Sequence, residues 1–331
     1  MSDGLRSRRS GLAGVRDLAT AARASLAHLV GLGRETDWTL IREAMHASGS
    51  LFPGNVLRFE LVRQDLTSLA VNGQPVPVSE FAALASGFIA FRETEAGQFY
   101  IVGSLPALES EVSALLTALR INRVVRVTAI AGRLLGESPR LIGVSFEATG
   151  DGLAIATSLD RALQAIHSPQ LHIVTAPGVG LVMDATRVLP PQFIALFRQG
   201  TVQQLLDTLV LHLPRPDEHR IRPHAHVPAS VGLGIGQTIY IQLPSFSGSP
   251  HMTVNISLAL GPKEVQPVED VLRVGRFTIA SQTSSCLDSQ PHLVHVSAQA
   301  FGDGFSLGNT LLSVIHLIEL EASSRDHNSR D

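Results

Sequence analysis

The tripeptide Gly150-Asp151-Gly152 recurs 152 residues further along the chain as Gly302-Asp303-Gly304. The same spacing separates Arg63-Gln64-Asp65 from Arg215-Pro216-Asp217, and a strand-like apolar run precedes each of these segments. Independent coincidences at one spacing are improbable. The sequence therefore predicts two copies of one structural unit.

Each copy alternates strand-like and helical patterns in the same order. A strand-like run leads into a helix that carries Val112, Leu115 and Leu119 at helical spacing. Two further strand-like runs follow, and a second helix begins after the Gly-Asp-Gly tripeptide. Strands joined by short loops favour antiparallel pairing, with the helices laid on one face. The predicted class is therefore α+β, built from two tandem repeats of antiparallel sheet related by pseudo-twofold symmetry.

The predicted chain has five parts: a helical extension at 1–49, a first repeat at 50–167, a connecting segment at 168–206, a second repeat at 207–320 and a disordered tail at 321–331. Apolar residues at spacings of three and four within 12–29 predict one helix of the extension, and Asp37 is the predicted N-cap of a short second helix. Trp38 and Met45 are among the residues expected to face inward. In the connecting segment, two prolines predict a helix at 191–197.

Composition excludes several classes of protein. The chain has 331 residues, of which 44% are hydrophobic, and a net charge of −3, which argues against a disordered chain and against a general nucleic-acid binder. The single cysteine, Cys286, excludes an internal disulfide framework and a four-cysteine zinc site. No run of 18 apolar residues occurs, so no membrane span is expected. We expect a cytoplasmic protein without a bound cofactor.

The segment Leu134-Leu135-Gly136-Glu137-Ser138-Pro139-Arg140, followed ten residues later by Gly150-Asp151, resembles the LppY/LpqO lipoprotein-like family. That bacterial family consists of tandem repeats and has no established biochemical role. The resemblance covers about residues 50–165 well and 207–320 more faintly. It implies a tandem-repeat fold for this chain.

The resemblance also implies where a metal site would lie. The family places histidines just before the Leu-Leu-Gly-Glu segment and at alternating positions before the Gly-Asp pair, which would set imidazoles on one face of adjacent strands. The corresponding positions here hold Ala131, Arg133, Ser145, Glu147 and Thr149. Because the nitrogen ligands are missing and Arg133 repels cations, we expect no bound metal.

The predicted functional site lies where those histidines would converge. The predicted ligand-binding residues are Arg133, Arg140 and Ser145, and the predicted catalytic residues are Glu147 and Glu137. Two arginines near one point favour an anionic ligand, and a desolvated glutamate could transfer protons. The alternative is an ordinary salt-bridge network on a sheet surface, for which the same residues suffice.

Other polar groups have structural explanations. The arginine–aspartate pairs at 63–65 and 215–217 follow a strand, where they would fix the next turn. Asp151 and Asp303 each precede a glycine and a helix, so both are predicted N-caps.

The second copy holds the densest group of histidines: His212, His219, His224 and His226. We interpret them as loop or surface residues, because a metal would need a further ligand from elsewhere. The glycine-rich run 232–236 precedes a predicted strand, whereas a dinucleotide fingerprint links a strand to a helix. We therefore reject a dinucleotide site there.

These observations favour a metal-free LppY/LpqO-like protein that binds a small polar or anionic molecule. One alternative is an enzyme that uses glutamate acid/base catalysis without a metal, and another is a structural or partner-binding protein. The expected partners are a small-molecule ligand or substrate and, as an option, a second copy of the chain as a homodimer. No nucleic acid is expected as a partner.

Overall fold

The structure is a computed structural model that describes residues 36–63, 65–66, 69–71, 74–76, 86–95, 97–121, 125–133, 136–166, 170–172, 189–205, 208–216, 220–221, 231–242, 251–284, 289–290 and 292–328. The predicted helix within 12–29 lies outside these residues. All elements below belong to one unit, Trp38–Asp331.

The first half contains, in chain order, α1 (Thr39–Ala44), β1 (Ser50–Phe52), β2 (Val56–Val62), β3 (Leu69–Val71), β4 (Gln74–Val76), β5 (Ser86–Glu95), β6 (Gln98–Leu108), a 3-10 helix (Glu109–Glu111), α2 (Val112–Ile121), β7 (Val125–Gly132), β8 (Glu137–Ser138), β9 (Leu141–Asp151), α3 (Gly152–Gln164) and β10 (Gln170–His172).

The second half contains α4 (Pro191–Phe197), β11 (Thr201–Leu205), β12 (Thr208–Leu213), β13 (Arg220–Ile221), a 3-10 helix (Val231–Leu233), β14 (Gln237–Gln242), β15 (His251–Leu260), α5 (Val265–Val274), β16 (Thr278–Thr283), β17 (Ser289–Gln290), β18 (Val294–Asp303) and α6 (Gly304–Asn328). The helix predicted at 191–197 is confirmed with the same bounds.

Two larger antiparallel sheets form the body of the protein, which confirms the α+β class. The first has the strand order β1-β2-β5-β6-β9-β7, with β10 also pairing with β2. The second has the order β11-β12-β14-β15-β18-β16. Each sheet carries a bulge in its last strand, between Val127 and Ala129 and between Ile279 and Ser281, and these bulges lie 152 residues apart. The two arrangements are consistent with two repeats.

Helices cover one face of each larger sheet. In the first half, Leu115 of α2 and Leu159 of α3 are buried in one core with apolar strand residues such as Ile101. Leu272 of α5 and Leu311 of α6 are buried in the corresponding core of the second half. Fully burying one such side chain contributes about 1.5–3 kcal/mol, so these faces hold the helices on the sheets.

A third apolar cluster lies between the two sheets, on the faces that the helices leave uncovered. Phe52 and Val102 of the first sheet meet Leu233 and Ile235 of the glycine-rich run. A Cβ atom at Gly232 would lie 2.8 Å from Cβ of Phe52, so only glycine permits this approach. The run therefore packs one sheet against the other.

The termini of the helices confirm some predictions and correct others. Trp38, not Asp37, is the N-cap of α1, and its side chain makes no capping hydrogen bond. The helix is instead held by burial, because Trp38 and Met45 both face the first core as predicted. Helix α6 continues to Asn328, into the segment predicted as a disordered tail. None of the helices among the described residues is long and apolar enough to cross a membrane.

Candidate functional site

A cavity of about 180 Å³ lies between the two larger sheets. Both halves contribute polar side chains to it, namely Arg58, Ser86, Ser104, Arg133, Ser145, Thr238, Tyr240, Asn255, Ser257, Ser281, Thr283, His295 and Ser297. None of the described residues that line it is an aspartate or a glutamate. The cavity thus combines two guanidinium groups and many hydroxyls without a carboxylate in its wall.

Two pairs of serines occupy equivalent positions in the two sheets. Ser104 and Ser145 face each other across β6 and β9, with 3.5 Å between their Oγ atoms. Ser257 and Ser297 face each other in the same way across β15 and β18. Since bulges often lie beside functional sites, it is notable that Ala129 and Ser281, the residues after the two bulges, also line the cavity.

Arg133 enters the cavity from the loop that follows β7. Its Nη1 donates to the backbone oxygen of Ser86, and its Nη2 donates to Oγ of Ser104 at 3.3 Å. A Cβ at Gly143 would lie 3.3 Å from Nε of Arg133, so the glycine leaves room for this side chain. Burial lowers the pKa of Arg133, but a guanidinium keeps its proton in proteins.

Arg58 is the second cation at the cavity and is almost completely buried, at 2% exposure. Its Nε donates to Oε1 of Glu60 at 2.5 Å, and its Nη1 donates to the backbone oxygen of Gly232 at 3.3 Å. The guanidinium carbon lies 3.9 Å from the centre of the Phe88 ring, a cation–π contact. Arg58 therefore joins β2 to the glycine-rich run of the second half.

Tyr240 and His295 are two further titratable groups that line the cavity. Burial and the charge of Glu60 raise the pKa of Tyr240. Burial, the charge of Arg215 and the electrostatic interaction with His292 lower the pKa of His295 to about 4, so the His295 imidazole is neutral at neutral pH.

His212 lies in β12, opposite Thr238 of β14, which lines the cavity. Its Nδ1 lies 3.3 Å from Oγ1 of Thr238, and burial and the charge of Arg58 lower its pKa well below the usual range. Because His212 is buried in a strand, it differs from the loop or surface residue predicted from the sequence. The rest of that predicted group, His219, His224 and His226, lies outside the described residues.

Of the residues predicted as a site, Arg133 and Ser145 line the cavity. Glu147 shares a strand face with Ser145, but its carboxylate lies further along β9. There Oε2 accepts a hydrogen bond from the Tyr100 hydroxyl at 3.0 Å, and Oε1 pairs with Nη2 of Arg126. Glu147 is 3% exposed and is thus a buried, paired carboxylate next to the cavity wall rather than part of it.

Glu137 and Arg140 also lie away from the cavity lining. Oε1 of Glu137 accepts a hydrogen bond from the backbone N–H of Leu141 at 2.9 Å, which closes the turn before β9. Arg140 is exposed, and its Nη1 lies 3.6 Å from Oε1 of Glu109. The convergence predicted for the five residues is therefore found only for Arg133 and Ser145. Within 136–140, Glu137 thus faces its own turn, although its charge partly offsets the lowering of the Arg133 pKa by burial, and Arg140 lies near the 3-10 helix that precedes α2.

Sequence reasoning missed Arg58, Tyr240 and His295 as cavity residues. The spacing of 152 residues contained one signal, because it carries Ser145 onto Ser297 and Gly143 onto His295. No comparable signal marked Arg58 or Tyr240, since their positions depend on how the two sheets face each other.

No group of three or more histidine, cysteine, aspartate or glutamate side chains with metal-binding geometry occurs in the parts of the chain that the structure describes. The absence of a stoichiometric metal stays a prediction. Elemental analysis of the purified protein tests it, and about one equivalent of zinc, iron or manganese that survives dialysis would contradict it.

Fold and cavity together define a class: an α+β protein of two helix-covered antiparallel sheets that enclose a polar, cationic cavity. Residues 39–165 match the model of a family described as Domain of Unknown Function (DUF1259). The match runs from the first residue of α1 to just beyond α3, so it spans the first helix-covered sheet. No curated protein and no solved structure matches the chain.

Proposed function

We propose that the protein binds a small anionic molecule in the cavity between its two larger sheets. The observation that carries this proposal is the guanidinium of Arg133 in a wall to which no described carboxylate contributes; Arg58 also lines this wall, although its Nε is paired with Glu60. Guanidinium groups recognise carboxylates and phosphates through charge-assisted hydrogen bonds. The volume of about 180 Å³ is below the roughly 300–1,000 Å³ of sites for drug-sized ligands, which favours a ligand of small-metabolite size.

We also propose that the cavity arose from the duplication of one structural unit. The two halves are tandem repeats of an LppY/LpqO-like, metal-free cytoplasmic protein, related by pseudo-twofold symmetry. The common strand order of the two sheets and the equivalent serine pairs support this interpretation. If the cavity lies between two copies of one unit, the equivalent strands of both copies line it. The two walls then differ at individual residues.

Two alternatives remain as hypotheses. An enzyme that uses Glu147 and Glu137 for acid/base catalysis is less well supported, because neither carboxylate lines the cavity and both accept hydrogen bonds from groups outside its lining. A structural or partner-binding role would leave the cavity without a ligand. Turnover of a bound compound would support the first alternative, and failure of all small anions to bind would support the second.

Titration calorimetry of the full chain with inorganic phosphate, propionate and uncharged propan-1-ol tests the proposal. We expect both anions to bind and propan-1-ol not to bind. Arg133→Ala should weaken anion binding at least tenfold, because a hydrogen bond to a charged group contributes about 1.5–3 kcal/mol. Arg133→Lys should restore part of the affinity, since it keeps the charge but loses the planar donor geometry.

Two exposed arginines provide controls. Arg273→Ala should leave binding unchanged, because Arg273 pairs with Glu269 on the outer surface of α5. Arg140→Ala separates the cavity from the site predicted by sequence, since Arg140 lies outside the cavity lining. Equal binding by wild type and Arg133→Ala, or a loss confined to Arg140→Ala, would contradict the proposed site.

A further inference from the structure

One difference between the two halves of the cavity lies at equivalent positions of β9 and β18. Gly143 lies two residues before Ser145 on β9, and His295 lies two residues before Ser297 on β18. The strand register supports this equivalence. Gly143 pairs with Pro106 of β6, and His295 pairs with Ala259 of β15, which lies 153 residues after Pro106. One half thus has an open position where the other half has an imidazole.

The open position in the first half is filled by a cation. Without a side chain at Gly143, the guanidinium of Arg133 lies directly above the strand, 3.3 Å from where a Cβ would be. Arg133 also donates to Ser104, a member of the first serine pair. The first wall therefore offers a positive charge next to hydroxyl groups.

The second wall offers a neutral acceptor at the equivalent position. Because the pKa of His295 is about 4, its ring carries one N–H and one nitrogen lone pair at neutral pH. Nε2 of His295 is buried and has no hydrogen-bond partner among the residues that the structure describes. Leaving a buried polar atom without a hydrogen bond is unfavourable, and a hydroxyl group of a ligand in the cavity would supply that bond.

This inference rests on the proposed function. We infer that the ligand is a hydroxylated anion, whose carboxylate or phosphate group faces Arg133 in the first half and whose hydroxyl group bonds to His295 in the second. The serine pairs of both sheets bind further ligand oxygens. The cavity is nearly symmetric in its serines and asymmetric in its charge, so it orients such a molecule in one direction.

Calorimetry with two matched pairs of probes tests the inference. Glycerate is compared with propionate, and glycerol 3-phosphate with n-propyl phosphate, so that each pair differs only in its hydroxyl groups. We expect the hydroxylated member of at least one pair to bind at least tenfold more tightly to the wild-type chain. The pair with the larger absolute affinity identifies the anionic group as a carboxylate or a phosphate.

Variants then locate the preference. His295→Phe should reduce the preference to less than twofold while the affinity for the unhydroxylated anion stays within twofold, and His295→Gln should restore part of it through its amide oxygen. Arg133→Ala should instead weaken both members of a pair to a similar extent. His316→Phe, which changes an exposed histidine of α6, is the matched control and should keep the full preference.

The outcomes separate the two claims. If no probe binds, both the proposed function and this inference are overturned. If the anions bind without preference for hydroxyl groups, or if His295→Phe retains the preference, only this inference is overturned. Should His295→Phe fail to fold, ¹⁵N spectra of histidine-labelled wild type decide: the Nε2 signal of His295 should shift with glycerol 3-phosphate or glycerate and not with the matched probe, and equal shifts would overturn the inference.

Discussion

Arg63 in the first half and Arg215 in the second bind a glutamate in the same way. Arg63 donates to Glu111 at 2.6 and 3.1 Å, and Arg215 donates to Glu264 at 2.8 and 2.9 Å. Each glutamate also accepts the backbone N–H of the residue three positions earlier in the chain. Each arginine also donates to a backbone oxygen two strands away in its sheet, that of Pro106 in β6 or Ala259 in β15.

Some residues that line the cavity differ between the two halves, unlike these ion pairs. Gly143 and His295 occupy equivalent positions and share no chemistry, and Val102 of the first half corresponds to Asn255 of the second. The contrast indicates that the ion pairs that fasten the strands to the helices are the same in both halves, whereas the cavity wall keeps its serine pairs and differs at other positions. A scaffold role tolerates little change, because a buried ion pair that loses one partner leaves an uncompensated charge.

The largest expected effect concerns these ion pairs. Arg63→Ala and Arg215→Ala should each lower the free energy of unfolding by about 3–5 kcal/mol, because each leaves a buried glutamate without its cation. Urea denaturation measures both values. Arg273→Ala, which breaks an exposed pair, should cost about 1 kcal/mol or less. A cost near that of Arg273→Ala at one of the two buried sites would show that the halves are not equivalent there.

The pH dependence of stability should distinguish the halves at Gly143 and His295. An unfolded histidine has a pKa of about 6.5, whereas that of His295 in the folded chain is about 4, lowered by burial and by Arg215 and His292. Between these values the unfolded chain binds a proton that the folded chain does not. The contribution of His295 to the free energy of unfolding is therefore fully present above about pH 6.5. It is lost as the pH falls towards 4, by up to about 3 kcal/mol.

His295→Gln isolates this contribution from that of other groups. From pH 7 to pH 5 its free energy of unfolding should fall by about 2 kcal/mol less than that of the wild type. His212, whose pKa is also lowered, is unchanged in both proteins, so its contribution cancels. The exposed His316→Gln serves as the control. Parallel pH profiles for wild type and His295→Gln would refute the assignment of a neutral His295.

The glycines that begin α3 and α6 should differ in their tolerance of a methyl group. A Cβ at Gly152 would lie 2.4 Å from the ring of Phe99, and one at Gly304 would lie 2.4 Å from Sδ of Met252. Gly152→Ala should cost about 1–3 kcal/mol, because a buried aromatic ring cannot move aside. Gly304→Ala should cost less, since a methionine side chain adapts. Thermal unfolding compares the two, and a larger loss for Gly304→Ala would contradict this account.

The α+β class and the helices that cover the two sheets could be predicted from the sequence, for a physical reason. Helical and strand periodicities report which face of an element is buried, and the apolar faces of α2, α3, α5 and α6 are large enough to dominate. Strand β2 shows where this fails. Arg58 and Glu60 alternate with apolar residues, a pattern typical of a strand with one solvated face, yet both are buried because the second sheet covers that face.

The sequence predicted only part of the candidate site, through the resemblance to a family motif. Ser145 and Arg133 were identified from their positions in the motif, and both line the cavity. Glu137 was placed at the same point because it is close in sequence, but β8 pairs with β3 and holds it in a separate small sheet. That pairing joins residues 66 to 68 positions apart in the chain, and no local sequence pattern encodes such a contact.

The smallest expected effect concerns the aspartates of the two Gly-Asp-Gly tripeptides, which the structure confirms as helix caps. Asp151 accepts the backbone N–H of Ala154 at 2.8 Å, and Asp303 accepts both the backbone N–H and the hydroxyl of Ser306 at 2.9 Å. Asp151→Ala should lower the free energy of unfolding by about 1 kcal/mol, the usual cost of losing an N-cap. Asp151→Asn keeps an acceptor and should retain most of the stability.

Asp303→Ala should change stability in the same direction. Its effect should shrink as the pH falls below the ordinary pKa of an aspartate. The hydrogen bonds from Ser306 lower the pKa of Asp303, and protonation of the carboxylate weakens these bonds. Thermal melts at pH 7 and pH 3 measure both variants. If Asp151→Ala were neutral while Asp303→Ala destabilised the chain, the tripeptide would act as a cap in only one half, and its recurrence would then reflect the packing of its glycines against Phe99 and Met252 instead.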